Sequence, residues 1–164
     1  MNFEESVAKI CKKHHYNGSI LIAKQNTILL QAGYGYADVE HKIPIHPSTK
    51  IRIASISKQI TAVAVLQLVM NKQLQLTDTL VNFFPDYQYS DVITIHHLLC
   101  NTSGVPNFNI FDDYRSLYVV DDFYDEFIKQ IIYPLPLGFE PGSKFEYSGS
   151  GYLMLTSIIE KISG

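Results

Sequence analysis

A mixed α/β (α+β) fold is predicted by three features of the sequence. They are an amphipathic stripe near the N-terminus, two short apolar runs spaced like a hairpin, and a succession of helical segments from residue 57 onward. The 164 residues are 46% apolar, 18% charged and 12% aromatic, a composition that fits one globular domain and excludes a disordered chain. A net charge of -3, with 13 lysines and arginines scattered along the chain, argues against a nucleic-acid binder. No apolar run approaches the roughly 20 residues of a membrane span. The opening Met-Asn-Phe-Glu-Glu has neither the basic nor the apolar region of a secretory signal, so the chain as it stands reads as cytoplasmic and its compartment stays open. Cys11 and Cys100 are too few for a disulfide framework and read as separate, partly buried thiols.

In chain order, Phe3, Val7, Ile10, Cys11 and His14 share one helical stripe, which predicts a helix over residues 4–14 that ends before Asn17-Gly18. Residues 19–24 and 27–32 predict two strands joined by Gln25-Asn26, and Gly33 and Gly35 mark a bulge or a close backbone approach. Pro44 and Pro47 place a loop next. Residues 57–71 are apolar nearly all the way round, as in a helix buried in the middle of a domain. Thr77 and Asp78 resemble a cap for a short segment stopping at Pro85, and Thr94 caps a helix over residues 95–100 that Asn101-Thr-Ser-Gly104 ends. Residues 121–132 read as helix, Pro141-Gly142 as a turn, and 151–162 as a final helix. No later run looks like a third strand, although a two-stranded hairpin is marginal alone. The unfinished sheet predicts an exposed edge and self-association.

The chemistry centres on Ser55-Ile-Ser-Lys58. If the buried helix begins here, Ser55 sits at its N-terminus, where the dipole and free N–H groups favour developing negative charge. Lys58 follows one turn later on the same face. A serine hydroxyl needs a base to take its proton, and Ser–Lys pairs are one known solution. The tetrapeptide is common by chance, and Ser6-Val-Ala-Lys9 repeats it on an amphipathic helix. The pairs His14-His15 and His96-His97 point about 100° apart on a helix and make no metal site. Gly33-Tyr-Gly35 lacks the third glycine of a dinucleotide fingerprint.

The order of the motifs is more specific. Tyr34-Gly-Tyr36-Ala, Lys50-Ile-Arg-Ile-Ala-Ser55-Ile-Ser-Lys58-Gln, Phe84-Pro-Asp-Tyr87, Ile95-His-His-Leu-Leu-Cys-Asn-Thr-Ser-Gly104 and Phe139-Glu-Pro-Gly-Ser-Lys-Phe-Glu-Tyr147-Ser-Gly-Ser-Gly-Tyr152 succeed one another along the chain. Together they resemble the serine β-lactamase-related family of class C β-lactamases, D-alanyl-D-alanine carboxypeptidases, penicillin-binding proteins and esterases. The resemblance implies a partial β-lactamase/transpeptidase-like fold, in which residues 1–164 are the N-terminal portion of a single catalytic domain whose C-terminal strands lie beyond the chain. It implies Ser55 as acylated nucleophile, Lys58 as its partner, and Tyr147, from a Tyr-x-Asn motif, as base or proton relay. Gly149 stands where that motif has asparagine, and Ser150 is its nearest substitute; this pair is the expected substrate-binding contribution. Asn101 stands where the family often has histidine, in what reads as a structural turn. The aromatic and acidic residues from Phe108 to Phe127 are candidates to line a cleft.

No metal and no organic cofactor are implied. The substrate would be a β-lactam, a D-Ala-D-Ala peptide or a small ester. The family's third motif, Lys-Thr-Gly or His-x-Gly, is absent, and with it one of two oxyanion donors, a loss that typically costs about 10²–10³ in rate. Two alternatives follow: a catalytically inactive fragment or binding protein, and one half of an enzyme completed by a separate C-terminal chain.

Overall fold

A computed structural model describes residues 2–108 and 123–164. It divides into two compact units, Met1–Ile53 and Ala54–Gly164, and the helix–hairpin–helices order predicted from the sequence is the observed one.

The first unit opens with α1 (Phe3–Lys13). Asn2 starts it: its side chain accepts from the Glu5 N–H at 2.8 Å, and the Glu5 carboxylate accepts from the Asn2 N–H at 3.0 Å. Glu4 and Glu5 in the first turn and Lys12 and Lys13 in the last complement the helix dipole. Of the predicted apolar stripe only Cys11 is buried, while Phe3 and Ile10 remain exposed. Strands β1 (Gly18–Lys24) and β2 (Thr27–Tyr34) pair antiparallel, from Gly18 opposite Tyr34 to Lys24 opposite Thr27, with a bulge at Ile22/Ala23. Gln25 and Asn26 both take positive φ, 48° and 65°, the two-residue turn whose twist suits a hairpin. Pro44 corrects the loop expectation, because β3 (Tyr36–Asp38) pairs with β4 (Ile43–Pro44) in a second small hairpin. Pro44 has no N–H to donate and so belongs at such an edge. Gly33 is a true close approach, since any Cβ there would collide with the Ile45 carbonyl.

The second unit holds α2 (Ser57–Met70), α3 (Ile95–Leu99), α4 (Phe123–Phe127) and α5 (Gly149–Ser163). Helix α5 packs against α2, α3 and α4. Its Met154, Leu155 and Ile158 meet Val65 and Leu68 of α2, Ile95 and Leu98 of α3, and Leu80, Phe84, Tyr87 and Ile93 of the connecting segments in one apolar core. The predicted caps divide. Thr94 does cap α3, accepting from the His97 N–H at 3.2 Å while His97 Nδ1 accepts from the Thr94 N–H at 3.3 Å. Thr77 and Asp78 cap nothing: the Asp78 carboxylate turns back to accept from the Gln75 N–H at 2.7 Å, and Thr79 precedes the short 3₁₀ turn Leu80–Asn82.

Three further expectations are corrected. Helix α2 buries only Val65 and Leu68, leaving Ile60, Val63, Leu66 and Met70 exposed, because its neighbours within this unit cover one side. The helix predicted over 121–132 is α-helical only over Phe123–Phe127 and continues as a π-helical turn, Ile128–Ile132; residues 121–122, and most of the candidate cleft lining, lie outside the described residues. Cys100 is exposed, whereas Cys11 is buried. Among the described residues no helix is long and apolar enough to cross a membrane.

Candidate active site

Two helix starts meet at the site, and they are built differently. Ahead of α2, the 3₁₀ turn Ala54–Ile56 carries Ser55. Ala54 enters it at φ +46°, the left-handed region that costs a residue with a Cβ about 1–2 kcal/mol. Such strain persists only where the surroundings hold it, and it collects at functional positions. The start of α2 has no side-chain cap. Ile56 occupies the cap position, and Ser57 donates its hydroxyl to the Ala54 carbonyl at 2.7 Å. N–H groups of a first turn lack partners within a helix, so an uncapped start suits an anionic oxygen.

The start of α5 is closed. Ser148 caps it, its Oγ accepting from the Gly151 N–H at 3.1 Å. Immediately before, Tyr147 leaves the chain, 44% exposed, and reaches across to the other helix start. Its hydroxyl lies 2.8 Å from Ser55 Oγ. Lys58 Nζ donates to Ser55 Oγ at 3.4 Å and sits 5.0 Å from the centre of the Tyr147 ring and 5.5 Å from that of Tyr152. Ser55, Lys58 and Tyr147, separated by up to 92 residues in sequence, form one contiguous cluster.

The electrostatics follow from this geometry. Partial burial raises the Tyr147 phenol, but hydrogen bonds from Lys58 and Ser55 and the charge of Lys58 together outweigh it, leaving the group below the usual tyrosine value. Tyr152 moves the other way: burial first, then Cys100 and Tyr147, push it up. Its hydroxyl is committed to the Leu99 carbonyl at 3.0 Å, so its ring faces Lys58 as a fixed wall.

Gly149 and Ser150 are not brought to this surface. Both are buried, and the Ser150 hydroxyl is fully enclosed without a hydrogen-bond partner among the described residues. Gly149 has a packing reason. A Cβ there would stand 2.7 Å from the Phe108 ring and 3.0 Å from Asn107 Oδ1. Asn107 Oδ1 occupies that space and accepts from the Gly149 N–H at 3.0 Å. Sequence reasoning passed over Asn107 and Tyr152, because nothing local distinguishes a loop asparagine or one of 11 tyrosines as a site neighbour. No group of His, Cys, Asp and Glu able to hold a metal occurs among the described residues.

Known proteins resemble this chain over almost its whole length. A family model described as Beta-lactamase matches residues 3–164. Penicillin-binding protein 4* of Bacillus subtilis is 34% identical over 158 residues, covering 93% of this chain and 34% of that protein. The crystal structure of a penicillin binding protein from Bacillus halodurans superposes with a TM-score of 0.83 at 30% identity, over 100% of this chain and 49% of that one. A D-amino acid amidase from Ochrobactrum anthropi SV3, complexed with D-phenylalanine, gives 0.76 at 25% identity, over 98% of this chain and 46% of that one. The chain thus spans about a third of the length of that curated relative and about half of each of these solved structures. On the match of almost its entire length, it belongs to the beta-lactamase family.

Proposed function

We propose that this chain carries the nucleophilic part of a serine hydrolase centre, in which Ser55 is acylated and Lys58 and Tyr147 handle the proton. The observation that carries this reading is the hydrogen-bonded contact of 2.8 Å between Ser55 Oγ and Tyr147 Oη, with Lys58 Nζ within 3.4 Å of the same oxygen. Ser55 Oγ attacks the acyl carbon as its proton passes to Tyr147, whose phenolate form Lys58 favours. The tetrahedral oxyanion draws on the uncapped start of α2. Collapse breaks the bond to the leaving amine or alcohol, which takes the proton from Tyr147. Water then repeats the sequence on the acyl-Ser55 ester, releasing the acid and restoring the hydroxyl. The reaction needs a β-lactam, a D-Ala-D-Ala peptide or a small ester, and the names of the relatives support an acyl group next to a D-configured or lactam amide. Gly149 and Ser150 enter this proposal as buried residues at the start of α5 rather than as groups at the surface.

The test is intact-mass detection of a fluorophosphonate adduct. Ser55 Oγ forms a bond to phosphorus, fluoride leaves, and the serine proton goes to the base, so the probe reports an activated serine without presuming a substrate. One adduct in the parent chain and none in Ser55→Ala is the expected result. A folded parent chain that stays unlabelled contradicts the reading.

A further inference from the structure

We propose that Asn101 is a positioning residue for this centre: it fixes the backbone on both sides of Tyr147 and so sets the approach of the phenol to Ser55 and Lys58. The proposal deepens the serine hydrolase reading and rests on it.

Asn101 terminates α3. Its N–H donates to the Leu98 carbonyl at 3.2 Å, the next N–H, of Thr102, reaches back to the His97 carbonyl at 2.9 Å, and Asn101 itself has φ +54°. This is the left-handed helix terminus that glycine prefers and asparagine tolerates. In that conformation Asn101 presents two acceptors to one neighbouring strand of chain. Its backbone carbonyl accepts from the Glu146 N–H at 2.9 Å, and its side-chain Oδ1 accepts from the Ser148 N–H at 3.0 Å. The residues immediately before and after Tyr147 are therefore held by the same residue. The grip is extended along the segment, with the Gly149 N–H on Asn107 Oδ1 at 3.0 Å, the Gly142 N–H on the Thr102 carbonyl at 2.8 Å and the Gly138 N–H on the Gly104 carbonyl at 2.8 Å. Most of these acceptors are backbone carbonyls that any sequence would supply. Those that depend on a side chain are Asn101 and Asn107, and only Asn101 flanks Tyr147 on both sides.

This placement matters because the Tyr147 side chain is 44% exposed, so the backbone that carries it has a large part in orienting it. A displacement of about 1 Å at its backbone would lengthen the 2.8 Å contact beyond hydrogen-bond reach. The turn around Asn101 is thus part of the proton-transfer apparatus at one remove, although Asn101 touches neither Ser55 nor Lys58 by any described contact.

The experiment uses the full chain with ¹³Cζ-labelled tyrosine, the Tyr147 signal assigned by its loss in Tyr147→Phe. Asn101→Gly keeps the left-handed backbone and deletes only the Oδ1 acceptor; Asn101→Asp keeps an acceptor at the same place. The Tyr147 titration midpoint in Asn101→Gly is expected to rise toward the ordinary tyrosine value, and fluorophosphonate labelling to slow at least about tenfold. Asn101→Asp is expected to recover most of that labelling rate. An unchanged midpoint in a folded Asn101→Gly overturns the proposal, as does an Asn101→Asp that labels as slowly as Asn101→Gly. Should Asn101→Gly fail to fold, Asn101→Ser, whose shorter side chain withdraws the acceptor from the Ser148 N–H, must shift the midpoint in the same direction, and no shift is an equal refutation. Loss of labelling in the parent chain strikes at the serine hydrolase reading, whereas the titration judges the positioning claim by itself.

Discussion

The two helix starts that meet at the site solve opposite problems. The start of α5 is satisfied: Ser148 caps it, Asn101 and Asn107 take the preceding N–H groups, and Gly149, Ser150 and Gly151 are all buried. The start of α2 has no side-chain cap and is entered through a 3₁₀ turn with a strained Ala54 and an exposed Ser55. The first arrangement delivers a precise tyrosine; the second leaves an electrophilic helix end for chemistry.

The largest expected effect comes from removing what joins them. Lys58→Met should slow fluorophosphonate labelling of Ser55 by about 10²–10⁴, the usual worth of general acid–base assistance. It should also raise the Tyr147 midpoint, since the ammonium that lowers it is gone. A labelling rate within threefold of the parent would break the comparison. The two helix bodies offer the next test. Leu155→Ala in α5, fully buried, should cost about 2–5 kcal/mol in urea denaturation, against about 0.5 kcal/mol or less for Leu66→Ala on the exposed side of α2. Equal costs would mean that α2 is covered where this structure leaves it bare.

Smaller effects sharpen the contrast between the two starts. Ser148→Ala should lose about 1 kcal/mol with the cap. Ala54→Gly should gain about 1 kcal/mol by relieving the positive φ. The smallest effect belongs to Asp125. Burial raises its carboxyl, but Ser157, Lys161 and Lys129 together draw it below the usual value. A depressed carboxyl stabilises above its unfolded pKa of about 3.8 and loses that contribution as pH falls through the folded one. Acid unfolding of Asp125→Asn should therefore depend less on pH below about 4 than that of the parent chain.

Local chemistry made much of this fold legible. Two apolar runs either side of Gln25-Asn26 gave the hairpin, Thr94 its helix and Pro141-Gly142 its turn, because each is decided by neighbours within a few residues. Asp78 misled because a carboxylate near a helix start can equally turn backward, as it does to Gln75. Helix α2 misled for another reason: apolarity all round states what a helix can bury, and the neighbours present decide what it does bury. At the site, Ser55, Lys58 and Tyr147 came from motif order. The roles of Asn101, Asn107 and Gly149 did not, because they arise from contacts across 42 to 47 residues that leave no local pattern.

The most direct test of the account is the pH dependence of fluorophosphonate labelling in the parent chain beside Tyr147→Phe. If the tyrosine drawn low by Lys58 and Ser55 is the base, the parent rate climbs with pH through a midpoint below the ordinary tyrosine value of about 10. Tyr147→Phe should then lose that climb and label at least about a hundredfold more slowly. A Tyr147→Phe chain that labels as fast as the parent, with the same profile, would contradict the claim that these two helix starts form one catalytic centre.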